Sequence, residues 1–503
     1  MAIQTRNSVL AIMEETTENT PVSPTASSDY VALQDDASMD PAFDVLDNAE
    51  LKASLGSAKS ILGSENPTFS MSHYLRHSGT EGTAPGYGLL LKASLGNEDD
   101  AGVEHDTVGG STVSVVNVDT GEGATYRRGQ ALLVKDGTNG YSIRPVHSIS
   151  SDALTLGFDL SNAPASGVNL GEAITYHVAN DDSHPSLTFW HYLGNGGAIQ
   201  MMSGGRVESV DIEFPAGELV NASYSVGGLE YYFNPIEITS SDIYLDFTSD
   251  NGTFAAQVSA DFYKDPHELA AAIQTALAAA DSLETFTCTY SDSTGKFTIA
   301  SSTSTVLSLL WNTGTNAANT IGDKIGFSIA ADDTGATSYE GDSAISLASP
   351  QSASFDSADP LVAKDNEVFI GDADDNVCFT ASNVSVNIST PRRVIDDICA
   401  ASGRSGSLIN AREVTVSISA ILDQYDADKF RRFRSNSDTR FLYNFGSKSG
   451  GNWEAGKSGC VYLPTATITS FSLPDDDGLV ALEMELSAFV NDSGEDEVAI
   501  SFV

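Results

Sequence analysis

A chain of 503 residues with 41% hydrophobic content has apolar material for several domains, each with its own core, and is not a disordered polymer. Its 69 acidic against 25 basic residues give a net charge of −44. That balance excludes wrapping nucleic acid or adhering to anionic membranes, both of which need surplus Lys and Arg. It fits a surface that DNA must pass without sticking, and it fits plain solubility equally.

The N-terminal run MAIQTRNSVLAIMEETTENT has no basic segment followed by an apolar core, so no signal peptide is expected. Residues 67–75, PTFSMSHYL, alternate with period two. They predict a strand with Phe69, Met71 and His73 on a buried face and Thr68, Ser70 and Ser72 on a face of small polar groups. GYGLLLKASLG (86–96) then predicts a short helix. Residues 101–180 are Gly- and Ser-rich with several short strands; in QALLVKDGTNGYSIRPVHSI the Asp-Gly-Thr-Asn-Gly run predicts a hairpin turn. RVESVDIEFPAGELVNASYSVGG (206–228) predicts a strand, a turn with Pro and Gly, the doublet Leu219-Val220 and a second alternating strand.

Residues 236–350 predict a small α+β domain. Its helix has Asp265 as N-cap, Pro266 at the first helical position, Glu268 placed to close a capping box, and Leu269, Ile273 and Leu277 as one apolar stripe. The strands FTCTY and GKFTIA follow, and the stretch 341–365 reads as a linker. LAAAIQTALAAA, the longest apolar stretch, is too short to span a bilayer. Residues 414–422 predict a strand with Val414, Val416 and Ile418 on one face and Thr415, Ser417 and Ser419 on the other. DADKFRRFRSN predicts a second short helix, and TITSFSLPDDDGLVALEMELSAF (467–489) a second strand–turn–strand with the doublet Leu479-Val480.

These elements recur in order. SILGSENPTFSMSHYL (Ser60–Leu75) aligns without a gap on SLINAREVTVSISAIL (Ser407–Leu422), each strand is followed by a helix, and each helix later by a strand–turn–strand. Ordered recurrence of this kind predicts an ancient duplication.

Chemistry-bearing motifs are sparse. GNWEAGKS (Gly451–Ser458) satisfies the phosphate-loop pattern, but GCVYLPTATITSF after it is strand chemistry, where that loop requires a helix N-terminus. The match is read as coincidence. DADDN (372–376) and PDDD (474–477) lack the Gly and distal Glu of an EF-hand loop and read as solvated turns. His73 and His77 sit at a strand-to-helix junction, and His184 and His191 read as polar partners in a sheet. The cysteines Cys288, Cys378, Cys399 and Cys460 are scattered and read as reduced structural thiols. No catalytic residue, metal site or cofactor is expected. Arg392, Arg393, Arg404, Arg412, Arg431, Arg432, Arg434 and Arg440 concentrate in the second half and are expected to make ionic contacts with neighbouring acidic subunits.

EETTENTPVSPTASSDYVALQD, the run from Lys52 to Gly96 and above all LRHSGTEGTAPGYGLLLKASLG (Leu75–Gly96) resemble the major tail tube proteins of long-tailed bacteriophages. So does YLPTATITSFSLPDDDGLVALEMELSAFVNDSGEDEVAISF near the C-terminus, and the resemblance spans residues 1–100, 181–235 and 366–503. It implies a mainly β chain with two tail-tube-type β-sandwich modules and flanking short helices. The first module is 1–100 with 181–235, carrying a β-rich insertion at 101–180; the second is 351–503; 236–350 is an inserted accessory α+β domain.

The implied function is that of a virion protein whose stacked rings form a hollow tail tube that delivers DNA, assembled in the host cytoplasm. Rings of three chains with pseudo-sixfold symmetry follow if the duplication holds, and rings of six if the chain is one fold with a long excursion. Thr68, Ser70, Ser72, Thr415, Ser417 and Ser419 then become candidates to face the lumen, or to face outwards if the faces are reversed. Expected partners are further copies, tail terminator, tape measure and distal tail proteins, with viral DNA passing unbound and no membrane. Two other readings are an acidic β-sandwich surface-binding or decoration protein, and a nucleotide hydrolase resting on GNWEAGKS.

Overall fold

The computed structural model describes residues 5–50, 56, 58–100, 104–136, 140–194, 197–350, 353–400, 402–422, 427–490 and 497–503. The chain is mainly β, 47% strand and 10% helix. It divides into two compact units.

The smaller unit comprises Met1–Ala11, Phe189–Met202 and Glu230–Ser352. It contains the predicted α+β domain, so the segment 189–202 groups with that domain and not with the flanking β module. Its helix Pro266–Ala280 starts as the sequence dictates, with the Asp265 side chain accepting from the Glu268 N–H at 2.8 Å. Glu268 in turn accepts from the N–H of Lys264, one residue before the cap, so the capping box is displaced by one position. Leu269, Ile273 and Leu277 bury their stripe with Phe247, Phe297 and Trp311. The strands Phe286–Ser291 and Lys296–Ser301 form the expected hairpin.

The larger unit comprises Ile12–Thr188, Ser203–Leu229 and Ala353–Val503. In chain order it carries β1 (Ser38–Asp40), β2 (Thr68–Tyr74), helix α1 (Gly88–Leu95), β3 (Gly96–Asp100), β4 (Ile174–Val178), β5 (Ala198–Pro215, from Ser203 onwards), β6 (Asn221–Gly227), β7 (Glu367–Gly371), β8 (Asn383–Ser389), β9 (Glu413–Ile421), helix α2 (Ala427–Ser435), β10 (Thr439–Ser449), β11 (Asn452–Ser472), β12 (Leu479–Ala488) and β13 (Ala499–Phe502).

One antiparallel sheet runs β1–β2–β6–β5–β8–β9–β12–β11. A second runs β3–β4–β13–β11–β10–β7. β11 is long enough to serve both: residues 459–462 pair with β13, and 467–472 pair with β12. The sheets meet through aromatic side chains, with Phe214 of β5 4.3 Å from Tyr443 and 5.6 Å from Phe445 of β10 (ring centroids). β4 lies inside the stretch expected to be insertion, yet it pairs with β3 and β13. What remains of the insertion is a four-stranded sheet (Val115–Asn117, Ala153–Leu156, Tyr141–Ser150, Ala131–Lys135) with its own core of Val116, Leu132, Val146 and Leu154. The Gly137-Thr138-Asn139 part of its predicted turn lies outside the described residues.

The same succession of strands and helix occurs in both halves of the larger unit. In the first half β1 leads into an outlying hairpin (Phe43–Leu46 with Ile61–Glu65), then β2, α1 and the β5–β6 pair. In the second half β8 leads into a hairpin (Arg392–Asp396 with Arg404–Ile409), then β9, α2 and the β11–β12 pair. Each strand pair has a bulge at the same place, between Val207 and Ser209 and between Ile468 and Ser470. A shared bulge of this kind is a designed feature of a sheet, not noise. The described residues of the linker expected at 341–365 form no strand, but Leu361 and Ala363 exchange backbone hydrogen bonds with Leu75, Glu218 and Val220.

Candidate functional site

The eight-stranded sheet has two faces of opposite chemistry because its strands all alternate in phase. One face carries Phe69, Met71, Tyr224, Val226, Val210, Ile212, Val386, Ile388, Val416, Ile418, Met484 and Leu486, each at most 3% exposed. At about 1.5–3 kcal/mol per large apolar side chain buried, this layer holds the sheet in place. His73 belongs to it, 1% exposed and sandwiched by Tyr87 (4.4 Å) and Tyr224 (5.4 Å). Burial lowers its imidazole to a pKa of about 4, so the ring is neutral near pH 7.

The other face is a lattice of small polar and acidic side chains, read directly from the strand register. One row runs Ser38, Ser70, Ser225, Ser209, Ser389, Glu413 across β1, β2, β6, β5, β8 and β9. The next runs Ser72, Ser223, Asp211, Asn387, Thr415, Ser487, Thr467, and a third Tyr74, Asn221, Glu213, Ser385, Ser417, Glu485, Ser470. A fourth adds Asn383, Ser419, Glu483 and Ser472. No Lys or Arg occupies these rows. The Ser385 hydroxyl donates to Asp211 at 2.8 Å across the β5–β8 junction, tying the two halves together.

At the rim, Arg206 lies opposite Gly227 but is buried, its guanidinium hydrogen-bonded to the carbonyl of His184. A Cβ at Gly227 would meet the Arg392 Nε at 2.3 Å, so a larger residue there would displace that guanidinium. Arg392 is itself held by Glu208 at 2.8 Å.

Of the candidate positions, Thr68, Ser70 and Ser417 are exposed on this face, and Thr415 and Ser419 are half-buried. Ser72 is on the same face but buried, its hydroxyl donating to Asp36 at 2.6 Å. The candidate positions came from two strands alone and left out the polar residues that β5, β6, β8 and β12 add to the same face. Their signal was present as period-two alternation in VESVDIEF, NASYSV, NVSVNIS and ALEMELSA.

Other candidates resolve locally. GNWEAGKS opens β11 after the turn from β10, the strand continues to Ser472, and Lys457 lies 3.6 Å from Glu454. Asp372 and Asp375 of DADDN take the Arg432 guanidinium at 2.7 and 3.1 Å, which holds the Asp372 carboxyl below the usual carboxylate range. His184 bonds the carbonyl of Ala93 at 3.0 Å and His191 the Gln200 side chain at 3.3 Å. The arginines expected to reach neighbouring subunits mostly find partners within the chain: Arg392 with Glu208, Arg404 with Asp44, Arg412 with Glu497, Arg432 with three aspartates. Each of these guanidinium groups is at most 13% exposed, so a carboxylate within the chain offsets part of the cost of taking its charge out of water. Arg431 and Arg434 stay exposed. All four cysteines are free thiols, and burial pushes Cys288 and Cys460 up to about 12.

A cleft of about 710 Å³ beside the insertion is lined by Arg127, His147 and His177, but Arg127 (2.7 Å) and His177 (2.5 Å) both engage Asp99. The polar sheet face therefore stands as the candidate functional surface. No protein-family model and no curated protein sequence matches this chain.

Proposed function

We propose that this chain is the subunit of a hollow protein tube that conducts DNA, as in the tails of long-tailed bacteriophages, and that three copies make one ring. The observation that carries the reading is the uninterrupted cation-free polar face across eight strands that fall into two equivalent sets of four. Six such sets, from three chains, give a barrel of 24 strands.

At about 4.8 Å between strands the circumference is about 115 Å and the diameter between backbones about 37 Å, before strand tilt widens it. Side chains reach in by about 5 Å on each side, half a sheet-to-sheet spacing, which leaves a bore of about 27 Å. That bore accommodates a DNA duplex. A lining of hydroxyls and carboxylates gives the phosphates no fixed cation, so no counterions are released and DNA slides without being held. Closing the barrel also removes the free sheet edges that a single chain carries.

Negative-stain electron microscopy with mass photometry tests this. Hollow rods or rings whose unit mass is near three chains of 52.8 kDa, about 158 kDa, are expected. Six chains per ring would keep the tube and overturn the trimer. Monomers at every salt and protein concentration would overturn the tube and favour an acidic surface-binding protein.

A further inference from the structure

Resting on the tube reading, we infer that the ring closes by pairing β11 of one copy with β1 of the next in the register of the internal β5–β8 junction, and that this seam, unlike the internal one, sets carboxylate against carboxylate. Closure is then favoured by rising ionic strength.

The register follows from the duplication. Ser38 pairs with Ser70 and Ser385 with Ser417, and Ser70 and Ser417 are equivalent, so β1 corresponds to β8 with Ser38 at the place of Ser385 and Asp40 at that of Asn387. The shared bulge places Ser470 at the position of Ser209 and Ser472 at that of Asp211. Within the chain, β5 meets β8 with Asp211 opposite Asn387, Glu213 opposite Ser385 and Pro215 opposite Asn383. Carried to the outer edges, Ser472 lies opposite Asp40 of the next copy, Pro474 opposite Ser38, and Asp476 opposite Asp36. Among the described residues β1 pairs with β2 alone, and residues 467–472 of β11 pair with β12 alone, so both edges lack a second strand.

The electrostatics differ because the residue types differ. The internal junction mixes each carboxylate with an amide or hydroxyl and gains the Ser385–Asp211 hydrogen bond. The closing seam brings Asp35, Asp36 and Asp40 from one copy towards Asp475, Asp476, Asp477 and Glu483 from the other, and neither 32–42 nor 469–485 contains a Lys or Arg. Like charges directly opposite on paired strands destabilise the pairing. At low salt the screening length exceeds the seam, and near 1 M it falls to about 3 Å.

The test is disulfide trapping. In a background with the exposed Cys378 and Cys399 changed to Ser, the double variant Asp40→Cys/Ser472→Cys is oxidised under assembly conditions. Directly opposite residues lie about 4.5–5.5 Å apart between Cα atoms, within disulfide reach. A ladder of two and three linked chains that stops at three is expected, and Asp40→Cys/Ser470→Cys, two residues out of register, gives none. Rings without the cross-link, or cross-linking equally good out of register, overturn the seam and leave the tube reading standing. Absence of assembly at every salt concentration overturns both.

Sedimentation of the unmodified chain gives a second readout. Ring formation is expected to rise from about 20 mM to about 500 mM salt. Asp36→Asn, which copies Asn383, and Asp476→Asn each remove one half of the directly opposed carboxylate pair and shift the midpoint to lower salt by about twofold or more. Rings that form independently of salt overturn the electrostatic part.

Discussion

The cation-free lining can be tested by adding one cation. Ser70 is exposed between Ser38 and Ser225, and its sequence equivalent Ser417 lies between Ser385 and Glu485. Lysine at position 70 has no carboxylate directly across either neighbouring strand, whereas lysine at 417 meets Glu485. A three-chain ring of Ser70→Lys therefore presents three cations with no carboxylate directly across from them, and a ring of Ser417→Lys presents cations each set directly across from Glu485. Each phosphate contact contributes a slope of about −0.9 in log K against log salt, so three contacts lose about 40-fold in affinity between 50 and 200 mM salt. Fluorescence anisotropy of a short labelled duplex, titrated with assembled tubes, reads this directly. Expected are no binding by the unmodified tube, salt-dependent binding by Ser70→Lys, and weak or no binding by Ser417→Lys. Equal effects of the two lysines, or salt-insensitive binding by the unmodified tube, would refute the placement of this face on the DNA path.

Three further outcomes follow from the same geometry. His73 titrates at about 4 in the folded chain against about 6.5 unfolded, so its contribution to stability is complete above about pH 6.5 and lost as pH falls to about 4. The loss is about 3 kcal/mol, and His73→Gln, which cannot charge, should flatten the acid limb of a pH–Tm curve. Val416→Asp places a carboxylate at a position with 0% exposure and should cost about 4 kcal/mol or more in urea denaturation, while Ser417→Asn, one residue along the strand, should stay within about 0.5 kcal/mol. Arg432→Ala leaves Asp372, Asp375 and Asp428 without their shared guanidinium; with those carboxylates partly solvated the cost is roughly 1–2 kcal/mol, read as a lower Tm and faster amide exchange in α2. Lys at 432 should recover less than half of it, because an ammonium cannot fork between carboxylates.

Period-two alternation placed Thr68 and Ser70 opposite Phe69 and Met71, and Thr415 and Ser417 opposite Val414 and Val416, because a strand's side-chain period is a local property of the backbone. The helix Pro266–Ala280 was legible for the same reason: its N-cap, first-turn Pro and apolar stripe lie within one short window. The repeat was legible as order, since duplicated halves keep the succession of strand, helix and strand pair.

What the chain order could not supply is which strands become neighbours. That β5 pairs with β8, joining the two polar faces into one lattice, depends on side chains more than 150 residues apart, among them Ser385 and Asp211. The withdrawal of Ser72 beneath Asp36 and the capture of Arg392, Arg404, Arg412 and Arg432 by internal carboxylates are likewise decided by packing. A residue's type fixes what it can bond, but only the tertiary structure decides which partner arrives first, because burial strengthens a charge pair or hydrogen bond that water would otherwise dissolve. The sequence by itself determined two faces on each strand and two halves of the chain; tertiary pairing determined that the halves share one surface.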